Sequence, residues 1–292
     1  LTGQSALDRV ERYFARKATR AGWLARRRLG KADDGDETLR QTLIAAVAGS
    51  LRPDGSVGGT ASATIGAIDD LLDLDPPPEL LVAPLDWLMG LVGKPGAYHE
   101  GCSSARHGHR VCEHFLGGFF SPAPATQRVA PITVPDGKTY RVESQARFAV
   151  SVAALRAALR GGRGDSPAIA RHLDSFKHLL DEWQRPDEHL PFDLLFGAMA
   201  AVAVAPSRWQ PLLDRLVDLA AGFQLSDGTW QRGDFFHALA GLVEVRRPGA
   251  TAVLRRAAPA LLQRQRDDGS FGSVARDERA LIGLRVLLVV GD

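Results

Sequence analysis

A turn signal recurs along this chain at a nearly constant interval, and such a period dictates architecture before any single residue does. Asp54-Gly55-Ser56-Val57, Asp136-Gly137-Lys138-Thr139-Tyr140, Asp227-Gly228-Thr229-Trp230 and Asp268-Gly269-Ser270-Phe271 share an Asp-Gly core. Asp bonds its own backbone two residues on and Gly takes positive φ without a Cβ penalty, so each copy marks a tight reversal. Lys94-Pro95-Gly96-Ala97-Tyr98 and Arg185-Pro186-Asp187-Glu188 fall where the period places two weaker copies, the second echoing Arg52-Pro53-Asp54-Gly55. With Gly55, Gly96, Gly137, Glu188, Gly228 and Gly269 as equivalents, the steps are 41, 41, 51, 40 and 41 residues.

Apolar residues at spacings of three and four predict helices on both sides of most turns. Helices after the turns are expected over 60–74, 101–119, 143–161, 190–204, 234–246 and 276–289, and those before them over 36–51, 79–93, 166–183, 207–223 and 249–265. The post-turn set carries near-continuous apolar runs, Phe192 to Val204 and Leu281 to Val290, as befits helices touched on several sides. The expected fold is therefore all-α, an (α/α)6 toroid in which a double ring of inner and outer helices surrounds a cavity, with residues 1–292 as one domain. Residues 121–135 hold Pro122, Pro124, Pro131 and Pro135 and cannot continue a regular helix. The third copy thus lacks an outer partner, a slot the N-terminal helix is expected to fill. Residues 98–135 form a Cys/His-rich inner helix followed by this Pro-rich loop.

The balance of 45% hydrophobic and 24% charged residues is that of a soluble globular chain, and a net charge of +2 carries no bias toward nucleic acid, so none is expected as a partner. Residues 1–30 are locally basic, with Arg9, Arg12, Arg16, Lys17, Arg20, Arg26, Arg27, Arg28 and Lys31 around an apolar stripe of Val10, Phe14, Ala18 and Ala21. The reading favoured here is one amphipathic helix with a solvated face, and contact with a membrane surface is the other. No apolar run reaches bilayer length and no signal-peptide pattern opens the sequence. Two cysteines do not make a disulfide framework, so a reducing cytoplasm is the simplest compartment.

Gln224-Leu225-Ser226-Asp227-Gly228-Thr229-Trp230 and Gln265-Arg266-Asp267-Asp268-Gly269-Ser270-Phe271 place a Gln, a spacer, Asp-Gly and an aromatic just before an inner helix. This resembles the repeat of the terpenoid cyclase and protein prenyltransferase β-subunit superfamily, an α6/α6 toroid. The resemblance implies an isoprenoid or other apolar small-molecule substrate in a central cavity. Asp234-Phe235-Phe236-His237 is similar to the stretch that supplies the zinc histidine of prenyltransferases, and Asp193 stands in the place of the family's metal Asp, with Leu195 where its Cys would fall.

Asp234, His237, Asp193 and Glu143 are the candidate acids, bases or metal ligands. Carboxylates at these helix starts are also ordinary capping residues. Phe148, Phe192, Phe196, Phe235, Phe236 and Trp230 are the candidate substrate wall, although ring packing between helices accounts for any one of them. Asp69-Asp70-Leu71-Leu72-Asp73 has the spacing of a diphosphate-binding motif, but three acids near a helix end read more simply as a solvated surface.

Both cysteines and four of the eight histidines fall between His99 and His114. Thiolate and imidazole are the ligands zinc prefers, so Cys102, His107, Cys112 and His114 are a candidate zinc site. The spacing matches no standard finger, and neither metal nor disulfide, or a Cys102–Cys112 disulfide, are the alternatives. The leading functional expectation is a terpenoid cyclase or prenyltransferase-like enzyme. The alternatives are a zinc-stabilised scaffold without catalysis and a carbohydrate-active toroid.

Overall fold

Helix follows turn at nearly the predicted places. The computed structural model describes residues 3–92, 129–184, 191–231 and 233–291. Among these lie twelve helices: α1 (Gly3–Phe14), α2 (Arg20–Leu29), α3 (Asp34–Ser50), α4 (Ala61–Leu74), α5 (Glu79–Met89), α6 (Glu143–Arg160), α7 (Pro167–Trp183), α8 (Asp193–Ala203), α9 (Gln210–Gly222), α10 (Phe235–Leu242), α11 (Pro248–Gln263) and α12 (Arg276–Gly291). The remaining regular structure described is a 3₁₀ turn (Ser207–Trp209) before α9 and one small antiparallel pair, β1 (Ile132–Thr133) and β2 (Thr139–Tyr140), with Ile132 opposite Tyr140. The chain is all-α in class.

The four Asp-Gly turns are built alike. Their glycines take φ of 86°, 90°, 82° and 89° at Gly55, Gly137, Gly228 and Gly269. In each, the Asp carboxylate accepts the backbone N–H two residues on, at Ser56, Lys138, Thr229 and Ser270. The two Gln residues of the repeat also act alike. Gln224 donates to the carbonyls of Gly228 and Val253, the latter on α11, and Gln265 to those of Gly269 and Ala6, the latter on α1. A side chain that ties its own turn to another helix explains why Gln recurs there.

Helix contacts follow chain order with regularity. Among the even-numbered helices α2 touches α4, α4 touches α6, and so on through α8 and α10 to α12, which touches α2. The odd-numbered helices lie against them, α3 on α2 and α4, α5 on α4 and α6, α11 on α10 and α12, and α1 on α12 and α2. Between the layers runs one apolar core that includes Phe14, Ile68, Leu71, Leu155, Phe196 and Phe271. Burying each such side chain stabilises by about 1.5–3 kcal/mol.

Two expectations are corrected. The single N-terminal helix is two, because the Arg26 guanidinium donates to the carbonyls of Phe14 and Lys17 at the end of α1 while Thr19 caps α2 through Gly22 N–H. Arg26 itself is buried against Asp36. This pair packs beside α12, α3 and α4 rather than filling the slot before the third turn, which α5 serves by touching both α4 and α6. Among the described helices α4 and α6 also touch directly. The expected helix at 101–119 lies outside the described residues, as does most of the 98–135 unit.

The close approach of each turn to its neighbour is testable at one residue. A Cβ at Gly269 would fall on the Arg9 carbonyl, whereas one at Gly30, also at positive φ (65°), meets nothing within 4 Å. Gly269→Ala is expected to cost about 3–5 kcal/mol and Gly30→Ala about 1–2 kcal/mol by chemical denaturation. Equal costs would show that the contact with α1 is unimportant.

Candidate functional site

The Asp136-Gly137 turn serves a purpose beyond reversal. Asp136 Oδ1 holds the turn while Oδ2 meets His237 Nδ1 at 2.7 Å, and the opposite ring nitrogen, Nε2, lies 3.1 Å from the Tyr140 hydroxyl. All three residues are buried. The short β1–β2 ladder sets Tyr140 beside Asp136, and α10 projects His237 from its first turn, three residues past the Asp234 cap. Burial opposes the charged imidazole, but Asp136 at hydrogen-bond distance, with Asp193 and Asp234 farther off, outweighs it and raises the His237 pKa above 6.5. Burial likewise pushes Asp136 up, yet the facing imidazole carries it below 3.8. Both shifts favour the ion-paired form, and Tyr140, driven well above 10 by burial and the surrounding carboxylates, stays a neutral phenol. When the ring is protonated, Nε2 donates to the phenol and the phenolic hydrogen is left for another acceptor.

The residues around this triad hold it in place. Arg279 Nε donates to the Asp136 carbonyl at 2.8 Å, and its guanidinium lies 3.7 Å from Asp234. Asp234 caps α10 through the N–H groups of Phe236 and His237. Asp193 accepts the Asp234 N–H at 2.6 Å and pairs with Lys138. Glu143 accepts the N–H groups of Val129 and Ala130 and the Arg147 side chain, which fixes the approach to β1. Of the four predicted catalytic residues, therefore, three anchor backbone and His237 alone lines the cavity.

That cavity, of about 530 Å³, falls within the range of small-molecule pockets. The triad borders it together with an aliphatic wall that includes Ile65, Val152, Leu194, Leu281 and Ile282. Phe148 and Phe196 line it as predicted. Phe192, Phe235, Phe236 and Trp230 do not. Their rings pack on Phe223, Trp230, Phe271 and Phe196 between helices, and Trp230 Nε1 donates to the Ala220 carbonyl.

Elsewhere the cavity is strongly charged. Asp69, Asp70 and Asp73, expected as solvated surface, line it instead. Carboxylates in the last turns of α4 oppose the helix dipole, and arginines compensate. Arg160 spans Asp69 and Asp73 at 2.6 Å each, Arg20 meets Asp70, Asp73 and Glu278, and Arg156 and Arg285 share Glu244. Burial would raise Glu244, but Arg285 and Arg156 bring its pKa down to about 2.

A zinc centre at His237 with Asp234 and Asp193 does not fit. Both ring nitrogens face Asp136 and Tyr140, both carboxylates are committed to backbone, and Leu195 offers no ligand atom. Among the described residues no group of three or more His, Cys, Asp or Glu is placed to hold a metal. Cys102, His107, Cys112 and His114 lie outside them. Sequence reasoning passes over Asp136, Tyr140, Arg156 and Arg160. The signal that marks the first two is the Pro-rich stretch that replaces a helix before their turn. For the arginines it is two charges four residues apart on an apolar helix.

The buried histidines titrate in opposite senses. A raised His237 stabilises the fold below pH 6.5, a contribution lost as pH climbs through its folded pKa, and the lowered Asp136 stabilises above pH 3.8, lost on acidification. By imidazole NMR, His237 should titrate above 6.5 in the intact protein and below it in Asp136→Asn, where burial prevails. An unchanged value in the variant would break the assignment. His172, fully buried on α7 against Phe176, is held neutral with a pKa lowered to about 3. Stability should fall as pH drops from 6.5 toward 3, because only the unfolded imidazole takes the proton. His172→Leu should flatten that acid limb in denaturation midpoints, and an unaltered limb would assign the acid loss elsewhere. No family model and no curated protein sequence matches the chain, so the site's chemistry has to be read from its own residues.

Proposed function

We propose that the chain is an α/α toroid whose central cavity is an active site for an isoprenoid or similarly apolar small molecule. The closed succession of even-numbered helices from α2 through α12 back to α2, with odd-numbered helices outside, supports the ring. The observation that carries the activity is the buried Asp136–His237–Tyr140 triad bordering an aliphatic cavity. Tyr140 is the proton-exchanging group and His237 its relay, held in place by Asp136, with the apolar wall excluding water. A phenol held neutral is too weak to protonate an isolated alkene, so the chemistry belongs at an oxygen function on the apolar chain. Zinc at the Cys/His cluster and a cytoplasmic setting remain part of this proposal. Among the described residues no helix is long and apolar enough to cross a membrane. The cations of residues 1–30 are largely engaged within the protein, as Arg9 with Gln265 and Lys17 with Asp277, which leaves little of that face for a lipid surface.

A second reading has its own support. Every carboxylate of the charged region is ion-paired, which suits a cavity that binds without reacting and leaves no opposed free acids for glycoside cleavage. Incubation with farnesyl and geranylgeranyl diphosphate, squalene and its 2,3-epoxide, followed by product analysis, separates the two. Consumption of one, lowered about 10²–10⁴-fold in kcat by Tyr140→Phe with little change in Tm, is the expected result. Binding without turnover of any would favour the second reading.

A further inference from the structure

Tyr140 lines the cavity and, among the described residues, its hydroxyl makes one hydrogen bond, with His237 Nε2 at 3.1 Å. A hydroxyl has one hydrogen and two lone pairs, so what it offers a ligand depends on which way that bond runs. Asp136 removes the ambiguity at the other end of the ring. Its ionised carboxylate, 2.7 Å from Nδ1, can only accept, so Nδ1 keeps its hydrogen in the neutral and the charged imidazole alike. Nε2 alone then gains or loses a proton.

Two states follow. With Nε2 protonated, the ring donates to the Tyr140 oxygen and the phenolic hydrogen is free for a ligand. With Nε2 bare, the phenol donates to it, and the hydroxyl can only accept from a ligand. Phe148, Val152, Leu194 and Leu281 border the same cavity, so a ligand oxygen placed there without a donor loses its hydration uncompensated. Anions are disfavoured, because Asp136, Asp193 on α8 and Asp234 at the start of α10 all act on His237. Asp193 pairs with Lys138, and Asp234 lies 3.7 Å from Arg279 of α12. On the α11 side no acid or histidine faces the ring, since that helix carries none, its Arg255 and Arg256 are exposed, and Arg264 at its end lies over Phe235. Of these groups the imidazole is the one whose ordinary range lies near neutrality.

We propose that the Tyr140 hydroxyl docks a ligand carbonyl, so that the cavity takes an apolar ketone or ester while His237 is protonated and releases it when the ring is neutral. A carbonyl oxygen accepts but cannot donate, and therefore matches only the first state. An alcohol turns its own hydroxyl and matches both. The raised His237 pKa puts the change above pH 6.5, with carbonyl binding strong below that value and lost as pH climbs through the folded pKa. This inference rests on the reading of the cavity as a site for an apolar molecule bearing oxygen, but it requires no turnover.

Calorimetric titration of the full chain with 2-nonanone and 2-nonanol from about pH 5.5 to about 9.5 tests it. Ketone affinity should fall about 5–30-fold across the His237 titration followed by imidazole NMR, while alcohol affinity stays within about twofold. By reciprocity, saturating 2-nonanone should raise the imidazole pKa and 2-nonanol should leave it in place. In Tyr140→Phe both ligands should bind without regard to pH. Equal pH profiles for the two ligands, or a ketone profile that persists in Tyr140→Phe, would overturn the carbonyl site and leave the apolar cavity standing. Binding of neither ligand at any pH would overturn the cavity reading and this inference with it.

Discussion

Backbone lying against backbone is the constraint on which the rest depends. At Gly55, Gly228 and Gly269 the turn presses onto main-chain atoms of the next odd-numbered helix, at Ala83, Arg256 and Arg9. No side chain fits in such a gap, and the Gln that precedes two of these turns bonds across it. The spacing between helix pairs is thereby set by main chain rather than by adaptable side chains, and a cavity of fixed width follows. Gly137 is the exception. It packs on Val274 and Ala275 instead, and this different seating coincides with the turn that delivers Asp136 and Tyr140 to the cavity.

What the sequence makes legible follows from the same fact. Turn chemistry is local, so Asp-Gly and its period announce themselves, and helices 61–74, 143–160, 193–203 and 248–263 lie within a few residues of the pattern that predicts them. The break between α1 and α2 is illegible because a buried arginine, Arg26, caps one helix from within the other, and no proline or glycine marks the site. The candidate site is legible only in part. His237 stands out as a histidine on an apolar helix, but its partner Asp136 is 101 residues away, disguised as one more turn residue. Asp69 and Asp73 look like surface because a carboxylate's neighbours, here Arg20 and Arg160, are set by tertiary contact alone.

The cavity combines two unlike environments. Near His237, the Asp136 counter-charge outweighs burial and favours the protonated ring, and the aliphatic wall keeps the local dielectric low. Among the arginines, carboxylates and guanidiniums share partners, so that Glu244 serves Arg156 and Arg285 while Asp73 serves Arg20 and Arg160. A lattice of this kind is costly to desolvate and adds less stability than its bond count implies. What it supplies is a fixed direction for each donor.

The bond from Gln265 to the Ala6 carbonyl spans 259 residues of sequence, whereas its equivalent, Gln224 to Val253, spans 29. The two interactions are chemically alike, but the entropy of bringing their ends together is not. Most helix pairs here can assemble with a near neighbour as soon as both are synthesised. The last junction must wait for the 259 residues between its two ends to be made, and α1, which buries Ala6, Val10 and Phe14, meanwhile lacks its neighbour α12.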